Sequence, residues 1–181
     1  LVIAKNQETF LHLKEQFQNH TVKKTYHTFV YGNIKEDEGE IDRPIGKSNK
    51  DFRKYSAQRG ARGVLREAKT YFRVLNRFPE QNVTFLEVFP KTGRTHQIRV
   101  HLKAIHHPIV CDKLYAPAYA TASAGRPKGK DVLWFERMAL HAKSIEFKLL
   151  DGQNLEAGSP YPEDFSKAMS FLKKNGAKSG L

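Results

Sequence analysis

Between Lys91 and Leu102 the sequence reads KTGRTHQIRVHL, with its polar donors crowded into the middle. Arg94 and Arg99 carry permanent charge, Thr95 a hydroxyl, His96 an imidazole and Gln97 an amide. Strand-forming residues precede Gly93, which allows a sharp turn, and Thr95 can cap a helix beginning near His96. A strand, a tight turn and a helix N-terminus lined by Arg94, Thr95, His96 and Gln97 can hold a phosphate or the edge of a base. On that helix Ile98, Leu102 and Ile105 form an inward stripe, while His96, Arg99 and Lys103 share a polar face. Arg99, one turn in, points where a buried carboxylate can pair with it. A surface helix with ordinary charges would use the same residue types, but so many donors directly after a glycine turn favour a site.

The region also holds His96, His101, His106 and His107. Two zinc-binding His on a helix share one face, and a gap of five separates His96 from His101. With no Cys cluster or paired carboxylates nearby, no metal is expected. No cofactor is expected either, because the chain has no phosphate-binding loop, no dinucleotide glycine pattern and no serine nucleophile motif.

Several elements must position these residues. Phe10, Leu13 and Phe17 fall at helical spacing, with Asn6 as N-cap and Glu8 in the first turn. Leu1 to Ala4 is strand-like. Thr25 to Tyr31 reads as a strand ending in a Gly32-Asn33 turn. Thr70 to Leu75, Val83 to Val88 and Ala139 to Leu150 read as further strands. Phe165, Ala168, Met169 and Leu172 mark one face of a final helix, with Glu163 and Asp164 in its first turn and Gly176 as a stop. Strands and helices that do not alternate strictly predict an α+β domain.

Composition narrows the partners. The net charge is +12, from 31 Lys and Arg against 19 Asp and Glu, which favours polyanions, above all nucleic acid. Nine basic residues lie between Arg43 and Lys69, with Phe52 and Tyr55 among them. Such an arm suits backbone contact by Arg53, Lys54 and Arg59 plus base stacking, although a solvated β-hairpin would look the same. Ala116 to Lys130 reads as a flexible connection. No apolar run is long enough for a membrane span, so no membrane partner is expected. The lone Cys111 cannot form an internal disulfide and suits a reducing cytoplasm.

From Lys91 to Tyr115 the run KTGRTHQIRVHLKAIHHPIVCDKLY resembles the signature of the RluA-type pseudouridine synthases. Weaker similarities follow in the family's order: LVIAKN at the start, KKTYHTFVYGNI from Lys23, AKTYFRVL from Ala68, LHAKSIEFKL from Leu140 and SPYPEDF from Ser159. The resemblance implies the pseudouridine synthase fold, a mixed and mostly antiparallel sheet flanked by helices. It implies an isomerase acting on uridine in structured ribosomal or transfer RNA, without a cofactor. Tyr26 would pack against the extruded uracil and Arg99 would pair with the catalytic aspartate. Arg94, His96 and Gln97 would sit near the RNA backbone.

One part of the family pattern is missing. Its nucleophilic aspartate lies in an Arg-Leu-Asp segment, and none of the seven Asp here, at 37, 42, 51, 112, 131, 151 and 164, has that context. Asp112 falls where the family has a non-catalytic Asp. Residues 1–181 are therefore expected to be a single catalytic domain lacking its N-terminal part, inactive as it stands. The rival reading is a non-catalytic RNA-binding or ribosome-assembly protein that kept the fold. DNA is not expected as a partner, since no helix carries the base-reading surface of known DNA motifs.

Overall fold

The computed structural model describes residues 1–57, 61–116, 133 and 135–176. In chain order the elements are α1 (Gln7–Gln18), β1 (Lys23–Tyr31), β2 (Glu38–Asp42), β3 (Ile45–Lys47), β4 (Tyr55–Ser56), β5 (Arg62–Arg66) and β6 (Lys69–Phe78). A single 3-10 turn (Pro79–Gln81) leads to β7 (Val83–Pro90), α2 (Gln97–Ala104), β8 (Leu140–Lys148), β9 (Asn154–Gly158) and α3 (Glu163–Gly176).

Six strands make the main sheet in the order β2-β6-β7-β1-β8-β9. Every pairing among the described strands is antiparallel. Residues paired across an antiparallel ladder share a face, so register decides which side chains meet. Tyr26 pairs with Val88 and Thr28 with Leu86, while Thr70 pairs with Pro90 and Phe72 with Val88. These residues form the face that α2 covers through Ile98 and Leu102. Phe29 and Phe85 lie on the other face and stack at 4.5 Å. There α3 packs Phe165 against Phe29 at 5.5 Å. Phe29, Phe165, Leu86 and Leu102 are fully buried, each contributing about 1.5–3 kcal/mol. With both faces covered, residues 27–30 of β1 and 83–86 of β7 are buried continuously rather than in alternation.

The expected N-cap on α1 is present: the Thr9 backbone N–H donates to Asn6 Oδ1 at 2.8 Å. Leu13 is buried, but Phe10 and Phe17 are exposed. α1 meets the sheet at β8, where His12 and Gln16 side chains each bond the Lys148 carbonyl at 2.9 Å. Leu1 to Ala4 is not a strand, since no described strand pairs with it. Val2 and Ala4 instead pack beside Leu13, Val22 and Phe147. The turn after β1 needs its glycine. Gly32 has φ +88, and a Cβ there would meet the His107 ring at 2.7 Å.

The basic arm is neither a loop nor a simple hairpin. It contains a second sheet in the order β4-β3-β5, anchored through Ile45 and Tyr55 to Val100 of α2 and to Tyr115. Most of the proposed connection from Ala116 to Lys130 lies outside the described residues.

Candidate functional site

The turn before α2 is built around Gln97. Its side chain is buried and its amide bonds are fully used. Oε1 accepts from the Thr92 hydroxyl at 2.6 Å and the Arg94 backbone N–H at 3.0 Å. Nε2 donates to the Lys69 carbonyl at 2.9 Å and to Thr70 Oγ1 at 3.0 Å. Gln97 thus ties the turn to β6, and it also lines the pocket that holds Tyr26 and Arg99. α2 begins at Gln97 with His96 at the N-cap position, φ +56 and no side-chain cap. Thr95 therefore does not cap the helix. The left-handed residue of the turn is His96 rather than Gly93, whose Cβ position is open space.

Tyr26 and Arg99 come together in one pocket of about 270 Å³, with Lys24, Pro90 and Leu140 from the sheet and Arg94, His96 and Ile98 from the turn and helix. That volume suits one nucleotide rather than a large ligand. A register shift at Thr25/Tyr26 in the β1–β8 ladder lies at the pocket's edge, and such irregularities re-aim side chains. Burial pushes the Tyr26 hydroxyl above the ordinary tyrosine value, so at neutral pH it keeps its proton. A larger groove of about 580 Å³ crosses the opposite face beside Tyr71, Arg73 and Phe89, and it contains neither Tyr26 nor Arg99.

Arg99 does meet a buried carboxylate, and that carboxylate is Asp112. Nε donates to Oδ2 at 2.8 Å and Nη2 to Oδ1 at 2.7 Å. Asp112 also accepts the backbone N–H groups of Leu114 and Tyr115 at 3.0 and 3.1 Å. The guanidinium lies over the Tyr115 ring, 4.7 Å from its centroid. Among the described residues the carboxylate paired with Arg99 is Asp112, and Nη1 has no hydrogen-bond partner there. His96 Nδ1 lies 2.9 Å from the Tyr115 hydroxyl. Burial, then the nearby Arg99 charge, hold His96 below the ordinary histidine value against the opposing pull of Asp112.

With this geometry in place, comparison with known proteins identifies the chain. The profile described as RNA pseudouridylate synthase matches residues 1–104. The chain belongs to the RNA pseudouridylate synthase family. It is similar to the uncharacterized RNA pseudouridine synthase YlyB of Bacillus subtilis (strain 168), 37% identical over 97% of this chain and 52% of that protein. It is 36% identical to the dual-specificity RNA pseudouridine synthase RluA of Pasteurella multocida, over 75% of this chain and 55% of that one. The chain spans about half the length of the curated relatives it matches. Among solved structures, human RNA Pseudouridylate Synthase Domain Containing 1 superposes with a TM-score of 0.72 at 27% identity, over 88% of this chain and 62% of that one. The relatives place it with the RluA type.

In this pseudouridylate synthase chain the other sequence candidates fall in different places. Arg94 lines the pocket and bonds the Glu67 carbonyl at 2.9 Å. Thr95 is exposed. Arg53 forms a two-point pair with Asp51, whose carboxyl it pulls down to about 2, and Lys54 approaches the same carboxylate at 3.6 Å. Both cations share this acid, three residues or fewer away, while the Arg53 side chain stays 66% exposed. Phe52 is 89% exposed and open to stacking, whereas Tyr55 is half-buried and packs against the second sheet's core. Arg59 lies outside the described residues. The sequence reading missed Tyr115, whose only local signal is its place three residues after Asp112.

His101 is a structural histidine. Its Nε2 donates to the Arg43 carbonyl at 2.9 Å, and Nδ1 lies 2.8 Å from Thr70 Oγ1. Among the described residues no group of three or more His, Cys, Asp or Glu could hold a metal. Burial drives the His101 pKa below its ordinary value. Its contribution to stability is therefore complete above about pH 6.5 and is lost as pH falls through the folded-state value, because the unfolded chain takes up the proton first. His27 and His96 shift the same way. The melting temperature is expected to drop between pH 7.5 and 5, with His101→Gln flattening part of that slope. An unchanged slope would show that His101 does not couple to folding.

Proposed function

We propose that this chain provides the uridine pocket of an enzyme that converts uridine to pseudouridine in ribosomal or transfer RNA. The observation that carries this reading is the convergence of Tyr26 and Arg99 on one nucleotide-sized pocket, in a chain of this family. A uridine turned out of its stack packs against the Tyr26 ring, with Arg94 and His96 beside the strand that carries it. None of the seven Asp stands in an Arg-Leu-Asp context, so the nucleophilic carboxylate comes from outside these residues. Arg99, steadied by Asp112, turns Nη1 toward it and favours its ionised form. The bond from the sugar to the uracil nitrogen breaks, the base rotates, and the sugar is rejoined through carbon. A proton leaves that carbon and the nitrogen gains one, a transfer the protonated Tyr26 hydroxyl can assist. The overall change is an isomerisation, with no oxidant or group donor consumed. The net charge of +12 supports RNA as the partner.

The test uses ribosomal and transfer RNA transcripts with pseudouridine detected chemically. The full-length gene product is expected to convert uridine. Tyr26→Phe should lower its kcat by on the order of a hundredfold with little change in KM, the scale of losing a proton-transfer group. The 181-residue polypeptide is expected to convert none. Isomerisation by that polypeptide alone would overturn the outside carboxylate. An inactive full-length product without an Arg-Leu-Asp segment would leave RNA binding as the function.

A further inference from the structure

The hydrogen bonds around Tyr115 decide which nitrogen of His96 carries the proton. Tyr115 is buried, 2% exposed. The Tyr55 backbone N–H lies 2.9 Å from its hydroxyl oxygen and can only donate, so it fills an acceptor position there. The hydroxyl's own proton then has one hydrogen-bond recipient among the described residues, Nδ1 of His96 at 2.9 Å. With the hydroxyl proton placed in that bond Nδ1 is bare, and a neutral imidazole with a bare Nδ1 carries its proton on Nε2. Burial and the Arg99 charge keep the ring from taking a second proton.

The rest of the geometry makes His96 a fixed group. Its backbone sits at φ +56, a left-handed region that Asn, Asp and His enter more readily than other side chains and that persists where the surroundings over-determine it. Here they do, because the ring meets Tyr55 and Tyr115 edge-on, with centroids 5.7 and 5.6 Å away. His96 lines the pocket that holds Tyr26 and Arg99, and Nε2 has no partner among the described residues.

We propose that Tyr115 is a positioning residue that locks His96 in its Nε2–H form, so that His96 offers a neutral donor to an acceptor oxygen of the RNA strand in the Tyr26–Arg99 pocket. The ligand in this statement rests on the uridine-pocket reading, while the protonation of the ring does not. Tyr55 belongs to β4, so one hydrogen-bond chain joins the second sheet to the pocket. A shift of that sheet alters the donor that His96 presents.

Two measurements decide the matter. In the 181-residue chain, ring nitrogen shifts of labelled histidine should show His96 protonated on Nε2. Tyr115→Phe, which keeps the ring and removes only the hydroxyl, should turn it into a mixture of forms. A wild-type ring protonated on Nδ1, or one unaffected by Tyr115→Phe, would overturn the proposal. The second measurement compares His96→Asn with His96→Gln in binding a fluorescent uridine-containing RNA hairpin at low salt. Asn tolerates the left-handed backbone, and its oxygen can take the Tyr115 bond in place of Nδ1, but it ends short of the pocket. Gln strains the backbone more than His does, yet its amide nitrogen reaches where Nε2 was. Affinity should fall roughly tenfold for His96→Asn and stay near wild type for His96→Gln, although the Asn variant melts at least as high. A merely structural His96 gives the reverse order, and that result would overturn the donor role. If wild type itself does not bind the hairpin, the uridine-pocket reading and the ligand assigned to His96 both fall, and the nitrogen shifts still judge the Tyr115 lock.

Discussion

An Arg99→Ala variant is expected to melt roughly 6–20 °C below the parent chain. The reason is what remains when Arg99 is removed. The Asp112 side chain is wholly buried and that of Arg99 is 18% exposed, so truncation leaves a carboxylate in the interior without its cation. Breaking a buried pair from one side costs about 3–5 kcal/mol, and in a chain of this size each kcal/mol moves the melting point by roughly 2–4 °C. The two N–H bonds from Leu114 and Tyr115 remain but do not replace a positive charge. Arg99→Lys should recover only part of the loss, because an ammonium cannot make the two-point contact. The double variant Arg99→Ala/Asp112→Ala should be more stable than Arg99→Ala alone, since no lone buried charge is left. Thermal melts of the four proteins test this. Equal melting points for parent and Arg99→Ala would mean that the Asp112 pair holds nothing together, leaving Arg99 to act on the ligand alone.

Gln97→Leu should have the second largest effect, on the order of 3 kcal/mol. The substitution keeps a side chain of similar length but leaves the Thr92 hydroxyl and the Arg94 N–H without a partner, while the Lys69 carbonyl keeps the Lys91 N–H and Thr70 keeps His101. Each unsatisfied buried group costs about 1–3 kcal/mol, less where water can enter. Thr95→Ala, two residues away, should leave stability unchanged because Thr95 is exposed and caps nothing. The contrast separates two roles for the same motif. If Gln97 served RNA directly, Gln97→Leu would lose RNA affinity at an unchanged melting point. As the clamp of the turn it should lose both, and the affinity loss should follow the displacement of Arg94 and His96.

Local pattern was sufficient for much of this architecture. Of the expected α3 face, Phe165, Ala168 and Leu172 are buried in full and Met169 in part, because a helical stripe of apolar residues with acids at one end needs only its own sequence to be recognised. The strands at Thr25, Thr70, Val83 and Ala139 were legible for the same reason, since β-branched and aromatic runs bounded by turn residues carry their own signal. The short strands were not. β3, β4 and β5 together hold 10 residues, three of them charged, and they exist because Ile45 and Tyr55 find Val100 and Tyr115, contacts 45 to 70 residues apart. Phe10 and Phe17 show the converse, a stripe with helical spacing that the described packing leaves in solvent.

The sequence by itself determined the class of the domain, its basic character and its family, and the family resemblance pointed to Tyr26 and Arg99, which the fold brings to one pocket. Each is written in residue type, spacing or a contiguous motif, which the chain carries before it folds. Only the tertiary structure decided what the polar residues of that motif do. Gln97, His96, Arg99 and His101 are all donors within five positions of one another, and nothing local tells them apart. Folding sorts them by partner: Gln97 and His101 turn to β6 and disappear into its hydrogen bonds, Arg99 turns to Asp112, and His96 turns to Tyr115. A buried polar group takes whichever partner the packing brings within reach, and those partners come from elements that meet only once the sheet, α2 and the second sheet have closed around them.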